Sequence, residues 1–146
     1  FSFIIQHKTG VLPYINSYPK SSIHRLDHAV IKTNDPDGFI KIYRDAFGIR
    51  LALDKFIEAW KKRMLFFRLN KTTIEVIEKS DSNLDSHDTL WGLAWQVKDI
   101  HKTRKRLLKN NIDVSEIKDG IKDGTLVATL KSHNHNVPTL LIESKM

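Results

Sequence analysis

Apolar and polar positions in this chain follow two periodicities, and the sequence runs through both of them twice. In Leu26-Asp27-His28-Ala29-Val30-Ile31-Lys32 the even positions alternate with Ala29 and Ile31, the period of a strand whose two faces meet different surroundings. Asn34-Asp35-Pro36-Asp37 then opens a helix, with an Asp cap, Pro at the first helical position and an acidic first turn. Phe39, Ile42, Tyr43 and Phe47 recur at spacings of three and four, and Gly48 supplies a left-handed residue to end the helix. Period-two patterning returns over residues 49–56, 63–69 and 72–79, with Asn70-Lys71 as the turn between the last two strands.

After a polar, turn-rich stretch at Ser80–Asp88 the plan repeats. Leu26–Asp35 aligns with Leu90–Asp99 at an offset of 64 residues, and Thr73–Glu78 aligns with Pro138–Glu143. Asp99 caps the second helix, Ile100, Thr103 and Leu107 form its buried stripe, and Asn111 takes the left-handed position that Gly48 holds in the first copy. Strands are predicted over 113–118, 125–131 and 137–143, with turns at Asp119-Gly120 and Asp123-Gly124. Each copy therefore reads β-α-β-β-β. One face of such a unit is covered by its helix and the other needs a partner, so two units side by side give an α+β fold: a cupped, eight-stranded mixed sheet with the helices outside and a cleft between the modules. Trp91 and Trp95 are expected beneath the second helix, and Trp60, beside Glu58, Lys61, Lys62 and Arg63, on a charged hairpin as a lid or interface residue.

Residues 1–24 belong to neither copy. A strand over 1–6 and a linker marked by Gly10, Pro13, Asn16, Ser17, Pro19, Ser21 and Ser22 read as the end of something upstream. The domain proper spans 25–144, as module 1 over 25–79, a linker over 80–88 and module 2 over 89–144. At 146 residues the chain can bury one full core. It has no cysteine, which removes disulfides, thiolate nucleophiles and Cys-ligated metals. No apolar run approaches a membrane span and no signal-peptide pattern opens the chain, so a cytoplasmic protein is the default expectation. The net charge of +7 is concentrated in Lys102, Arg104, Lys105, Arg106 and Lys109, the solvated face of the second helix. No nucleic-acid recognition motif accompanies it, and nucleic-acid and membrane partners are not expected. Rossmann, Walker and nucleophile-elbow motifs are absent as well, which leaves no nucleotide cofactor and no serine-hydrolase chemistry.

The two copies differ in chemistry. His28 and Glu75 in the first correspond to Gly92 and Leu140 in the second. By alternation Met64, Phe66 and Arg68 share a strand face and can line the cleft, with Arg68 able to clamp a substrate carboxylate or phosphate. Gly92 and Ala94 are small and leave volume, and Gln96 shares their face. Glu143, three residues beyond Leu140, should point to the opposite side.

The motif Leu26-Asp27-His28-Ala29-Val30, the helix Phe39–Ile49, Ile74-Glu75-Val76 and their second-copy counterparts together resemble the vicinal oxygen chelate superfamily, which includes glyoxalase I, methylmalonyl-CoA epimerase, extradiol dioxygenases and the bleomycin and fosfomycin resistance proteins. The resemblance implies a glyoxalase-like protein that binds a small, oxygen-rich, anionic metabolite between its modules. In metal-dependent members four inward positions hold the ion, and these map onto His28, Glu75, Gly92 and Leu140. A half site of His28 and Glu75 would suit Zn, Ni, Fe or Mn as a divalent cofactor, with Gln96, His133 or His135 as candidates for a third ligand. Three readings stay open at this point. The first is a metal-assisted lyase or isomerase in which Glu75 and His28 are catalytic, the second a metal-free binding protein of the resistance type, and the third a degenerate structural module of a longer tandem protein. The resemblance also allows a homodimer, with modules paired within or between chains.

Overall fold

The computed structural model describes residues 5, 6, 8, 10, 22–79 and 87–144. The strand expected over 1–6, most of the linker to residue 24 and most of the 80–88 joint lie outside these. Eight strands form one sheet among the described residues: β1 Ile23–Thr33, β2 Arg50–Ile57, β3 Lys62–Leu69, β4 Thr72–Glu78, β5 Thr89–Val97, β6 Lys118–Asp119, β7 Thr125–Leu130 and β8 Thr139–Ser144. Their spatial order is β2-β3-β4-β1-β5-β8-β7-β6. β1 runs parallel to β4 and β5 parallel to β8, while β1 and β5 pair antiparallel and join the modules into one sheet. The repeat read from the sequence is thus a pseudo-symmetry about the β1–β5 seam.

The helix-side core has two separate centres. Phe39, Ile40, Leu65, Phe67 and Val76 pack beneath the first helix, and Val97, Ile100, Leu107, Val114, Ala128 and Leu141 beneath the second. Trp95 packs against the second cluster, as its position in β5 predicts. Both caps form as expected. Asp35 accepts from the Gly38 N–H at 2.8 Å to open α1, Pro36–Ile40, and Asp99 accepts from the Lys102 N–H at 2.8 Å to open α2, Ile100–Lys109. Gly48 and Asn111 take left-handed φ values of 67° and 59° after the two helices.

Two elements depart from expectation. The first helix is α-helical only over Pro36–Ile40 and widens into a π-helical stretch over Lys41–Ala46. The Phe47 N–H reaches back five residues to the Ile42 carbonyl, and the Ile49 N–H six residues to Tyr43. The wider turn accompanies a stack of Phe39 on Tyr43 with ring centroids 4.0 Å apart, while Ile42 and Phe47 stay half exposed. The strand predicted over 113–118 shrinks to a bridge at Val114 and the short β6. Ser115 is the reason. Its hydroxyl accepts from the Thr129 N–H at 2.9 Å and its carbonyl accepts from Arg104 Nε at 2.8 Å, so of the two backbone bonds of a regular pair only that from the Ser115 N–H to the Thr129 carbonyl, 2.9 Å, remains.

Candidate functional site

The face of the sheet away from the helices is built from cross-strand rows. Val30 lies between Glu75 on β4 and Gly92 on β5, while His28 lies between Thr73 and Ala94. Phe66 pairs with Glu75, Met64 with Ile77 and Arg68 with Thr73. Leu140 sits beside Ala94. Every inward position taken from the sequence (His28, Glu75, Met64, Phe66, Arg68, Gly92, Ala94 and Gln96) therefore falls on this one face. Their accessibility differs. Ala94 and Met64 are buried at 0 % and 6 %, Phe66 is half buried, and Arg68 is exposed, donating to the Thr73 hydroxyl at 2.6 Å.

A cavity of about 250 Å³ opens on the second-module side of β1, walled by His28, Val30, Trp91, Gly92, Pro138 and Leu140, with Thr129, Thr139 and Leu93 completing it. A side chain at Gly92 would meet the Pro138 carbonyl at 3.1 Å, and that carbonyl is held by the Leu93 N–H at 2.9 Å. The glycine thus admits the close approach of β8 and keeps the cavity open. Trp91 corrects the expectation that it packs under α2. Pairing shifts between Val30/Gly92 and Ile31/Leu90, which leaves Trp91 as an extra residue of β5. It turns to the cavity, 44 % exposed, and Lys32 Nζ stands 4.7 Å from its ring centroid.

A second bulge contributes a residue that strand alternation alone conceals. β1 advances from Leu26 to His28 while β5 advances only from Trp95 to Ala94, so Asp27 is the extra residue in β1. Its Oδ2 lies 3.1 Å from His28 Nδ1, and Glu75 Oε1 lies 3.9 Å from the same nitrogen. Both neighbours are carboxylate oxygens, which accept and do not donate when ionised, so the proton of a neutral His28 belongs on Nδ1 and the lone pair on Nε2. Among the described residues Nε2 has no protein partner, and the imidazole forms part of the cavity wall. The signal available in the sequence was a carboxylate next to His28 at a position that strict alternation would bury against the helix layer.

Burial, with Phe66 alongside, raises the Glu75 carboxyl above its ordinary value. The His28 ring opposes that shift and the Asp27 charge adds to it. Behind these groups Arg25 organises the polar end of the face. Its Nε donates to Gln96 Oε1 at 2.5 Å, its Nη2 meets Asp27 Oδ1 at 3.4 Å, and its Nη1 donates to the Lys71 carbonyl.

For a divalent metal the donors stop at two. A catalytic site ordinarily holds three protein ligands, yet Gly92 and Leu140 carry no donor and the Gln96 carbonyl is occupied by a guanidinium. His133 and His135 sit exposed in a left-handed turn before β8. No group of three or more His, Cys, Asp or Glu side chains is placed to hold an ion among the described residues. The described residues do not fit a resident catalytic metal. Glu143, expected on the opposite face, is found there, where its Oε2 accepts the Ile100 N–H of α2 at 2.6 Å. Trp60 is 52 % exposed at the β2–β3 turn, and Arg63 of that hairpin is bound to Asp54 at 2.7 Å and to Asp37 at 2.8 Å. No helix among the described residues is long and apolar enough to cross a membrane.

The fold recurs in solved structures at low sequence identity. Methylmalonyl-CoA epimerase from Mycobacterium tuberculosis superposes with a TM-score of 0.67 at 18 % identity, covering 90 % of this chain and 95 % of that one. A Streptomyces coelicolor methylmalonyl-CoA epimerase variant in complex with 2-nitronate-propionyl-CoA gives 0.63 at 18 %, covering 86 % of this chain and 100 % of the other. A hypothetical protein from Bacillus halodurans gives 0.64 at 18 %, covering 84 % and 95 %. No curated protein sequence matches the chain. The family model for the Glyoxalase/Bleomycin resistance protein/Dioxygenase superfamily matches residues 27–129, which takes in His28, Glu75 and the cavity wall through Thr129. With that match over most of its length, and with two βαβββ modules joined at the β1–β5 seam, the chain belongs to the Glyoxalase/Bleomycin resistance protein/Dioxygenase superfamily.

Proposed function

We propose that this protein binds a small carbonyl compound with an anionic group in the cavity beside His28 and moves a proton at the carbon next to the carbonyl, as an isomerase or lyase that needs no resident metal. One observation carries the reading: the His28 ring stands between an apolar cavity and two carboxylates that both address Nδ1. Asp27 orients the ring and fixes its tautomer, leaving the Nε2 lone pair toward the ligand, the arrangement a general base requires. When Nε2 takes the proton, the new imidazolium faces Asp27 and Glu75. Glu75 lies with Asp27 on the Nδ1 side, where its carboxylate stabilises that imidazolium until Nε2 returns the proton to the carbon.

Methylmalonyl-CoA, the compound named by several structural neighbours, is the first probe because its C–H lies between two carbonyl carbons. The experiment follows incorporation of solvent deuterium into that carbon by mass spectrometry, with and without EDTA. Exchange that persists in EDTA is expected for the wild type. A hydrogen bond to a charged group contributes about 1.5–3 kcal/mol, so Asp27→Ala should slow exchange by about 10- to 150-fold. Exchange abolished by EDTA, or unchanged in Asp27→Ala and His28→Gln, would overturn the mechanism. A second reading has its own support. Two of the four inward positions are Gly92 and Leu140, which gives a cavity suited to holding a ligand without reacting it. Saturable binding of methylmalonyl-CoA with no exchange would favour that reading.

A further inference from the structure

Lys32 lies on the inner face in the row beyond Glu75, since Val30 pairs with Glu75 and Lys32 with Ile77. Its ammonium stands over Trp91, a wall of the cavity, and meets no carboxylate among the described residues. Elsewhere the cations near this face are engaged: Arg25 with Gln96, Asp27 and the Lys71 carbonyl, and Arg68 with Thr73. A half-buried lysine with no counter-ion among the described residues, seated on an aromatic ring at the rim of an apolar cavity, is poised to take an anion, because the ring holds one side of the ammonium and leaves its other protons free. Trp91 reaches that position only because the β5 bulge turns it out from the helix layer.

We infer that Lys32 and Trp91 form an anion-reading mouth, so that the ligand is a carboxylic acid whose charged group docks at Lys32 while its uncharged carbon chain lies in the cavity beside His28. The inference rests on the reading of that cavity as a ligand site. Four residues of strand separate the His28 row from the Lys32 row, about 13 Å. Shortened by the flexible lysine stem, that distance suits a carboxylate several carbons from the reacting centre, as in straight-chain dicarboxylates.

The test titrates malonate, succinate and glutarate into the protein, with dimethyl glutarate as the uncharged control, and follows tryptophan fluorescence and calorimetric heat. The expected result is saturable, salt-sensitive binding of at least one diacid with a fluorescence change that disappears in Trp91→Phe. Lys32→Met should weaken that binding at least tenfold, Lys32→Arg should stay within about threefold of wild type, and neither should alter the far-ultraviolet spectrum. Equal binding by Lys32→Met, or no saturable binding of any diacid by the wild type, overturns the proposal. The two readings fail separately. Lys32-dependent diacid binding without deuterium exchange removes the catalytic reading alone, and exchange on methylmalonyl-CoA that ignores Lys32→Met removes the mouth alone.

Discussion

Glu143 offers the sharpest check on the strand facing that defines the site. It follows Leu140 by three residues and is the carboxylate nearest in sequence to the position aligned with Glu75, so a one-residue slip of β8 would place it on the inner face as a missing ligand. The structure puts it on the helix side, where Oε2 accepts the Ile100 N–H at 2.6 Å. That amide opens α2 and has no partner within the helix, so the carboxylate satisfies an orphan donor and sits against the positive end of the helix dipole. A charge-assisted bond of this kind contributes about 1.5–3 kcal/mol. Half exposure of Glu143 and the intact Asp99 cap place the expected loss at the lower end, about 1.5–2 kcal/mol for Glu143→Ala. For a chain of this size that corresponds to a fall in Tm of about 6–8 °C. Urea unfolding should show a lower midpoint with an unchanged slope, and Glu143→Gln, which keeps an acceptor, should recover about half the loss. Ligand binding and bound-metal content should not change. A Glu143→Ala protein with wild-type Tm but altered ligand or metal binding would refute the facing of β8 and the site built on it.

Glu75 gives a pH-dependent outcome. Because burial raises its carboxyl, the folded state favours the protonated form, so its contribution to stability is fully present below the ordinary carboxylate value near 4.5 and is lost as pH rises through the raised one. Glu75→Gln should therefore gain thermal stability relative to wild type at pH 7–8 and lose that advantage at pH 4, and parallel melting curves across this range would contradict the burial argument. Neighbouring leucines on β8 test the same alternation by packing. Leu141, fully buried among Val97, Ile100 and Leu107, should cost about 2–5 kcal/mol on truncation to Ala. Leu140→Ala, which only enlarges an existing cavity, should cost less than half as much in chemical denaturation while changing ligand affinity. Equal costs would show that the two residues do not face different surroundings.

Much of the architecture was legible because it depends on periodicity and on the ends of elements. The Asp35 and Asp99 caps, the Gly48 and Asn111 terminators and the stripe Ile100, Thr103, Leu107 act through local backbone chemistry, and each forms where the sequence places it. The repeat added the long-range part, since aligning Leu26 with Leu90 predicts two equivalent modules side by side, which the structure joins at the β1–β5 seam. Where a side chain outbids the backbone for a partner, the pattern gives no warning. Ser115 dissolves a predicted strand in this way, with a hydroxyl and an Arg104 contact that only the folded chain brings together.

The candidate site shows the limit of alternation most clearly. Strict alternation brings His28, Glu75, Met64, Phe66, Arg68, Gly92, Ala94 and Gln96 to one face, but it sends Asp27 and Trp91 to the other. Both lie at bulges on the β1–β5 seam, and a bulge reverses facing without changing composition. The two reversals act on opposite ends of one cavity. At one end Asp27 comes within 3.1 Å of His28 and decides which ring nitrogen is free. At the other Trp91 becomes a wall with Lys32 over it. Seam strands tolerate such insertions because their partners belong to different modules, so an extra residue shifts the join and leaves each module's own β4–β1 or β8–β5 ladder in step. The polar asymmetry between the copies therefore understates the chemistry. Gly92 and Leu140 remove two inward donors from the second module, while the seam restores a carboxylate and an aromatic–ammonium pair that the repeat alignment pairs with Trp91 and Gln96, residues of different type. A sheet face with Gly92 and Leu140 at two of its inward positions thus carries the parts that the proposed proton transfer needs: an oriented imidazole, a half-buried carboxyl, an apolar cavity and a cation at its rim.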